Sequence, residues 1–177
     1  DDLADLLDHL EIDEDVFAGH SSGGGLIIRL SGGEHAGRMT RAVLIAPFLK
    51  YNAPTARGES VWARPLTRRI IGLTMLNAVG IRALNGLTVI EFNIPEAVRN
   101  TEQGQFATDA YSYRLNTGYA PRADYESDIA ALPDFLLLAG SEDNAFRPRE
   151  YEPVMSAVTD RGTYEVMEGL GHLGILE

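Results

Sequence analysis

The chain has 177 residues and a formal net charge of -11, with 45% apolar residues and no cysteine. A chain of this length is in the range of one folded unit with a sizeable core. The acidic balance argues against a nucleic-acid partner, because phosphate binding requires a basic surface. The absence of cysteine excludes disulfides, thiolate metal sites and cysteine nucleophiles.

The first segment predicts a helix over residues 1–13, because leucines recur there at helical spacing, at Leu3, Leu6, Leu7 and Leu10. The first fifteen residues also contain eight acidic residues and neither Lys nor Arg. We interpret this acidic run as a solvated face and turn, with an acidic docking surface as the alternative.

The next segment contains the pattern Gly-x-Ser-x-Gly, formed by Gly19, Ser21 and Gly23. Residues 14–18 predict a short strand before the pattern, and residues 26–30 predict a short helix after it. This strand-turn-helix frame is typical of a nucleophile elbow, in which a serine is exposed on a sharp turn. We therefore expect strained backbone angles at Ser21, and collisions for any side chain placed at Gly19 or Gly23.

The middle of the chain predicts an insertion. Residues 42–47 predict a buried strand, and the next strand is predicted only from residue 133 onward. A minimal crossover between parallel strands needs far fewer residues than intervene here. We therefore predict a core formed by residues 1–49 and 119–177, and a largely helical cap or lid formed by residues 50–118.

A helix is predicted within this insertion over residues 62–77, with Pro65 in its first turn. One interpretation packs its apolar residues onto the sheet domain, namely Leu66, Ile70, Leu73 and Leu76. The alternative is a lid that meets acyl chains while its arginines approach a lipid surface, namely Arg64, Arg68 and Arg69. The apolar run is too short to cross a bilayer, so this lipid contact would be interfacial.

Aromatic residues cluster further along the insertion, at Phe106, Tyr111, Tyr113 and Tyr119. Burial in the core or cap is the favoured interpretation, because aromatic side chains serve mainly as packing groups. A substrate-binding cluster is the alternative.

The last part of the chain predicts two further strands with polar residues directly after them. Residues 133–140 form an apolar run, and Asp143 follows it; residues 163–168 alternate like an edge strand, and a glycine-flanked His172 follows them. Open parallel sheets place their sites at the carboxyl ends of strands. Ser21, Asp143 and His172 are therefore predicted to meet at one edge of the sheet.

Other residues compete for these positions. Glu142 and Asp134 also lie near the predicted acid, and His20 is next to Ser21 in the sequence. The side chain of His20 is expected to diverge from that of Ser21 and to shape the pocket or pack. His9 and His35 are interpreted as exposed structural residues. No His-x-x-x-His or carboxylate group with zinc-ligand spacing occurs in the sequence, so neither a metal nor a cofactor is predicted.

The segments 19–24, 140–143 and 171–174 resemble the nucleophile, acid and histidine motifs of the α/β-hydrolase superfamily. The resemblance is strongest to esterases and to lysophospholipase or monoacylglycerol-lipase-like serine hydrolases. It implies an α/β fold with a mostly parallel sheet, flanking helices and a cap. It also implies that Ser21 is the nucleophile, His172 the base and Asp143 the acid, with the Ser22 amide in the oxyanion hole.

The implied activity is hydrolysis of a lipid-like or small apolar carboxylic ester. Acyl transfer or perhydrolysis by the same residues, and a non-catalytic binding module, are the alternatives. The resembling family has additional strands before the elbow, so we expect this chain to be part of a longer catalytic domain. An elbow strand without its neighbour exposes an edge that can pair with another chain, which makes a homo-oligomer a further expectation.

Overall fold

A computed structural model describes residues 2–57, 62–102 and 104–176. The chain divides into two units, one formed by Asp1–Gly58 with Pro121–Glu177 and the other by Glu59–Ala120. Within the described residues, no helix is long and apolar enough to span a membrane.

The first unit is built around a four-stranded parallel sheet with strand order β1-β2-β6-β7. Its strands are β1 (Asp15–His20), β2 (Met39–Ile45), β6 (Phe135–Gly140) and β7 (Gly162–Met167). Its helices are α1 (Asp2–His9), α2 (Ser22–Ser31), α6 (Tyr125–Ala130) and α7 (Tyr151–Ser156). Short 3-10 helices cover Ala36–Arg38, Pro148–Glu150 and Gly174–Leu176. This is the α/β-hydrolase arrangement that the resemblance implied.

The central strands lie in the core because their residues are apolar. In β6, Phe135, Leu137 and Ala139 are buried, and in β2 Ala42 and Leu44 are buried. Helix α2 covers the sheet with two buried apolar side chains, those of Ile27 and Ile28. The carboxyl ends of all four strands therefore lie along one edge, and that edge carries Ser21, Asp143 and His172.

Helix α1 is shorter than predicted, and only part of its leucine face is buried. Leu7 is buried, whereas Leu6 and Leu10 are about half exposed. Arg38 holds the segment after α1 in place, because its guanidinium donates hydrogen bonds to the carbonyls of Ile12 and Asp13 and to the carboxylate of Asp8. Asp1 lies outside the described residues.

The second unit contains helices and also a small antiparallel sheet that we did not predict. The sheet has the order β3-β4-β5, with β3 (Ala63–Pro65), β4 (Thr88–Phe92) and β5 (Ala110–Ser112). The helices are α3 (Thr67–Ala78), α4 (Glu96–Arg99) and α5 (Tyr113–Tyr119), with a 3-10 helix at Gly104–Phe106.

Helix α3 begins later than predicted. Pro65 ends strand β3 rather than occupying the first turn of the helix, and Leu66 is the N-cap residue. Pro65 can take this place because β3 has one hydrogen-bonded neighbour, β4, and a proline is tolerated on an edge strand.

The core of the second unit explains most of the predicted apolar stripe. Leu73 is buried against Val89 and Tyr113, and Ile70 and Leu76 pack around them. Ile70, Leu73 and Leu76 therefore contribute to the core of their own unit.

The predicted aromatic cluster does not form one group. Tyr111 packs edge-on against Tyr119 at a ring-centroid distance of 5.2 Å, and Tyr113 lies in the core. Phe106, by contrast, is 81% exposed. For Tyr111, Tyr113 and Tyr119, the packing interpretation agrees with the structure.

Candidate active site

Ser21 occupies the sharp turn between β1 and α2. Its φ of 53° and ψ of -117° are rarely adopted by a residue with a side chain. Three backbone hydrogen bonds hold the turn: the Ser21 amide donates to the Ile45 carbonyl (2.9 Å), and the Ser21 carbonyl accepts from the amides of Gly25 (3.1 Å) and Phe48 (2.9 Å). The predicted backbone strain at Ser21 is therefore present, and the neighbouring strand and helix maintain it.

The two elbow glycines have different roles. A Cβ atom on Gly19 would lie 2.7 Å from the Gly23 carbonyl carbon and 2.7 Å from Cδ1 of Ile27, so only glycine fits there. A Cβ atom on Gly23 would meet nothing within 4 Å. The expected collision at Gly23 is therefore wrong for this structure, because position 23 opens away from the strand. The close approach occurs instead at Gly25, where a Cβ would lie 2.5 Å from the Phe48 carbonyl oxygen.

Asp143 lies in the loop directly after β6 and is 1% exposed. One carboxylate oxygen accepts hydrogen bonds from the amides of Ala145 (2.7 Å) and Phe146 (2.8 Å). The other is 2.9 Å from Nδ1 of His172. Burial alone would raise the pKa of Asp143, but the hydrogen bonds from His172 and from the two amides outweigh it, so the pKa is lowered from 3.8. The carboxylate is therefore ionised at neutral pH.

His172 lies in the loop after β7 and joins Asp143 to Ser21. Its Nδ1 faces the Asp143 carboxylate, and its Nε2 lies 3.1 Å from Oγ of Ser21. Because an ionised carboxylate can only accept a hydrogen bond, Nδ1 must carry the proton in this pair. In the neutral ring Nε2 is then an acceptor, and the Ser21 hydroxyl donates a hydrogen bond to it.

His20 contacts this group through His172. Its Nε2 lies 2.9 Å from the His172 carbonyl, which can only accept, so Nε2 carries a proton and donates. The two imidazole rings are 4.5 Å apart at an angle of 41°. Burial, and then the nearby His172, lower the pKa of His20 below 6.5. Adjacency to Ser21 in the sequence gave no sign of this contact between His20 and His172.

Phe146 completes the surroundings of His172. Its ring packs edge-on against the imidazole at 5.2 Å and 74°, and it is 8% exposed. Phe146 was not singled out from the sequence. Its position three residues after Asp143 is the signal that could have identified it, since the loop that wraps a carboxylate also carries its next side chains to the same edge.

Ser22 is the first residue of α2. The amides of the first helical turn lack acceptors within the helix and carry the positive end of its dipole. The Ser22 amide is therefore suited to bind a negatively charged oxygen beside Ser21.

The competing residues lie elsewhere. Asp134 precedes β6 and so lies at the opposite end of that strand, and Glu142 and His9 are exposed. His35 is 3.4 Å from Glu34 on the surface. Among residues 2–57, 62–102 and 104–176, no group of three or more His, Asp or Glu side chains could hold a metal ion.

Comparison with known proteins places this arrangement in a family. The whole chain, residues 1–177, matches the alpha/beta hydrolase family. No curated protein sequence matches the chain significantly.

Solved structures share the fold at low sequence identity. Monoacylglycerol lipase from Paleococcus ferrophilus is 17% identical with a TM-score of 0.64, and 96% of this chain covers 64% of that one. The meta-cleavage product hydrolase CumD from Pseudomonas fluorescens IP01 is 17% identical with a TM-score of 0.54, with coverages of 96% and 62%. A serine hydrolase from the polyaromatic-hydrocarbon-degrading bacterium Cycloclasticus zankles is 14% identical with a TM-score of 0.54, with coverages of 99% and 63%.

This chain spans less than two thirds of the length of these structures. The match along all of its residues, together with the parallel sheet and the strained serine turn, leads to one conclusion: the chain belongs to the alpha/beta hydrolase family.

Proposed function

We propose that this protein is a serine hydrolase that cleaves carboxylic esters through Ser21, His172 and Asp143. One observation carries the proposal: a continuous hydrogen-bonded series joins Ser21 Oγ to His172 Nε2 (3.1 Å) and His172 Nδ1 to Asp143 (2.9 Å). Ser21 is partly exposed, whereas Asp143 and His172 are buried. Substrate can thus reach the hydroxyl while water is kept from the groups that activate it.

The first half-reaction forms an acyl-enzyme. Ser21 Oγ attacks the ester carbonyl carbon as His172 Nε2 takes its proton, and the carbonyl oxygen becomes an oxyanion. The Ser22 amide donates to that oxyanion. When the intermediate collapses, His172 gives the proton to the leaving alcohol and the ester C–O bond breaks.

The second half-reaction releases the acid. His172 removes a proton from water, the hydroxide attacks the acyl carbon, and the proton returns to Ser21 Oγ as the acid departs. Throughout, Asp143 fixes the Nδ1–H tautomer of His172 and stabilises the imidazolium that forms in each half-reaction.

The second unit supports an apolar ester as substrate and suggests contact with a lipid surface. Helix α3 exposes an apolar stripe formed by Ile71 (56% exposed), Met75 (68%) and Val79 (73%), with exposed Arg68 on the same side. Residues 62–90 contain four arginines and no acidic residue, in a chain with net charge -11. An apolar stripe flanked by arginines suits the interface of an anionic bilayer. We propose that the second unit, Glu59–Ala120, is the part of the protein that meets lipid.

Two experiments test these proposals separately. Hydrolysis of p-nitrophenyl esters of increasing acyl length should be measured for the wild-type chain and for Ser21→Ala, with an added alcohol to detect acyl transfer. Loss of turnover in Ser21→Ala supports the hydrolase, whereas equal rates refute it. The wild-type protein should co-sediment with phosphatidylglycerol vesicles and not with phosphatidylcholine vesicles. Met75→Ser should weaken the binding to phosphatidylglycerol vesicles, and binding unchanged by that substitution would refute the lipid contact.

A further inference from the structure

Arg57 contacts the loop that carries Asp143, and no sequence pattern pointed to it. Its Nε donates to the Phe146 carbonyl (2.8 Å), and its Nη2 donates to the Asp143 carbonyl (2.9 Å). Nε and Nη2 lie on one edge of the planar guanidinium, so the two bonds form a single fork. Arg57 therefore fixes both ends of the four-residue loop that wraps the Asp143 carboxylate.

The geometry of that loop determines where the carboxylate lies. The Asp143 side chain accepts from the amides of Ala145 and Phe146, while the carbonyls of Asp143 and Phe146 accept from Arg57. The loop is thus held by its amides on the carboxylate side and by its carbonyls on the arginine side. If the carbonyl side is released, the loop can shift, and the carboxylate oxygen that meets His172 shifts with it.

The neighbouring chain segment brings Arg57 to this position. Ala56 forms an antiparallel bridge with Phe146, and the Arg147 amide donates to the Thr55 carbonyl (2.8 Å). Thr55 is 1% exposed. A segment anchored in this way fixes the backbone of Arg57, so that only its side-chain torsions remain to be ordered when the two hydrogen bonds form.

Phe146 extends the effect of Arg57 to the base. The same residue whose carbonyl accepts from Arg57 packs its ring against His172 at 5.2 Å. Arg57 therefore hydrogen-bonds the backbone of two residues that contact the imidazole of His172: Asp143, through its carboxylate, and Phe146, through its ring.

We propose that Arg57 is a positioning residue, which holds the Asp143 loop so that the carboxylate meets Nδ1 of His172. The catalytic part of this inference rests on the proposed function, in which that contact activates Ser21. A shift of about 1 Å in such a group can lower a reaction rate about 100-fold.

Arg147 provides a matched control. It lies on the same pair of segments and donates through Nη1 to the Pro54 carbonyl at 3.3 Å, but none of its side-chain hydrogen bonds reaches the Asp143 loop carbonyls. Arg57→Met and Arg147→Met each remove one exposed guanidinium from the same region. Arg57→Lys keeps the charge but places its donors on one nitrogen, so it loses the planar fork, and it serves as the conservative variant.

The test combines a spectroscopic readout with a kinetic one. Proton NMR detects the strongly downfield Nδ1–H signal of a histidine bonded to a carboxylate, and Asp143→Asn identifies that signal by its loss. Arg57→Met should weaken or abolish the signal and lower kcat for p-nitrophenyl acetate about 10- to 100-fold with KM unchanged. Arg147→Met should keep both, and Arg57→Lys should restore part of each.

The outcomes separate the two proposals. A wild-type signal and wild-type kcat in Arg57→Met would overturn the positioning role. If Arg57→Met loses the signal and the wild-type protein itself hydrolyses no ester, the positioning role is supported and the hydrolase proposal is refuted. If Arg57→Met fails to fold by circular dichroism, Arg57→Lys and Arg57→Gln decide the question, because wild-type signals and rates in both would also overturn it.

Discussion

Replacement of Gly19 by alanine should destabilise the protein, whereas replacement of Gly23 should not. The two glycines hold equivalent places in Gly-x-Ser-x-Gly, yet the added methyl group meets opposite surroundings. At position 19 it would lie 2.7 Å from the Gly23 carbonyl carbon and 2.8 Å from the Gly23 carbonyl oxygen. Carbon atoms pack best at about 3.5–4.0 Å, so the overlap is severe.

The size of the effect follows from what can move. Cδ1 of Ile27, also 2.7 Å away, is the end of a side chain and can rotate, but the Gly23 backbone belongs to helix α2 and cannot yield alone. Overpacking of this kind costs about 1–3 kcal/mol. Gly23→Ala adds a methyl group in open space within a helix, where alanine is favoured over glycine by about 0.5–1 kcal/mol. The two variants should therefore differ by about 1.5–4 kcal/mol in free energy of unfolding.

Urea unfolding followed by far-UV circular dichroism measures this difference directly. We expect a lower midpoint than wild type for Gly19→Ala and an equal or higher midpoint for Gly23→Ala. Equal destabilisation by the two substitutions would mean that position 23 is as crowded as position 19, contrary to the distances at Gly23.

Three further predictions concern the charged groups. Because the pKa of Asp143 is lowered in the folded state, its stabilising contribution is present above the unfolded pKa of 3.8 and is lost as pH falls through the folded pKa. Asp143→Asn should therefore flatten the acid side of a plot of unfolding free energy against pH, and an unchanged slope would contradict this. Because the pKa of His20 is lowered in the folded state, stability should decline as pH falls below 6.5. His20→Gln removes the titrating group but keeps a donor for the His172 carbonyl, so it should abolish that decline and retain more ester turnover than His20→Leu. Equal turnover in the two variants would contradict the role of that hydrogen bond. Arg122→Met leaves the carboxylate of Asp128, whose side chain is 4% exposed, without its ion pair, and should lower the free energy of unfolding by about 3 kcal/mol, whereas Arg149→Met, on an exposed pair, should change it by less than about 1 kcal/mol.

The sequence was sufficient for the parallel sheet because its strands are marked by strong local signals. The apolar run before Gly140 and the run before Pro47 both became strands, within a few residues of the predicted bounds. Parallel strands that are covered on both faces need such runs, and turn residues mark their ends. The same edge then brought Ser21, Asp143 and His172 together without any further assumption.

The second unit was harder to predict because its strands are short and do not read as buried runs. In β4, Val89 is buried but Glu91 is exposed, and β3 and β5 have three residues each. Such strands are defined by their partners rather than by their own pattern. The role of Arg57 could not be predicted for a related reason. It donates to backbone carbonyls 86 and 89 residues away in the sequence, and because every residue has a carbonyl, residue types do not indicate which ones accept.

Activation of Ser21 can be tested by intact-mass analysis after incubation with a fluorophosphonate probe, for the wild-type chain and for Ser21→Ala. We expect one covalent adduct on the wild-type protein, located on Ser21 by peptide mapping, and none on Ser21→Ala. Labelling should also slow strongly in His172→Ala, because the hydroxyl then has no base to take its proton. An unlabelled wild-type protein, or an adduct that persists in Ser21→Ala, would contradict the proposal that Ser21 is an activated nucleophile.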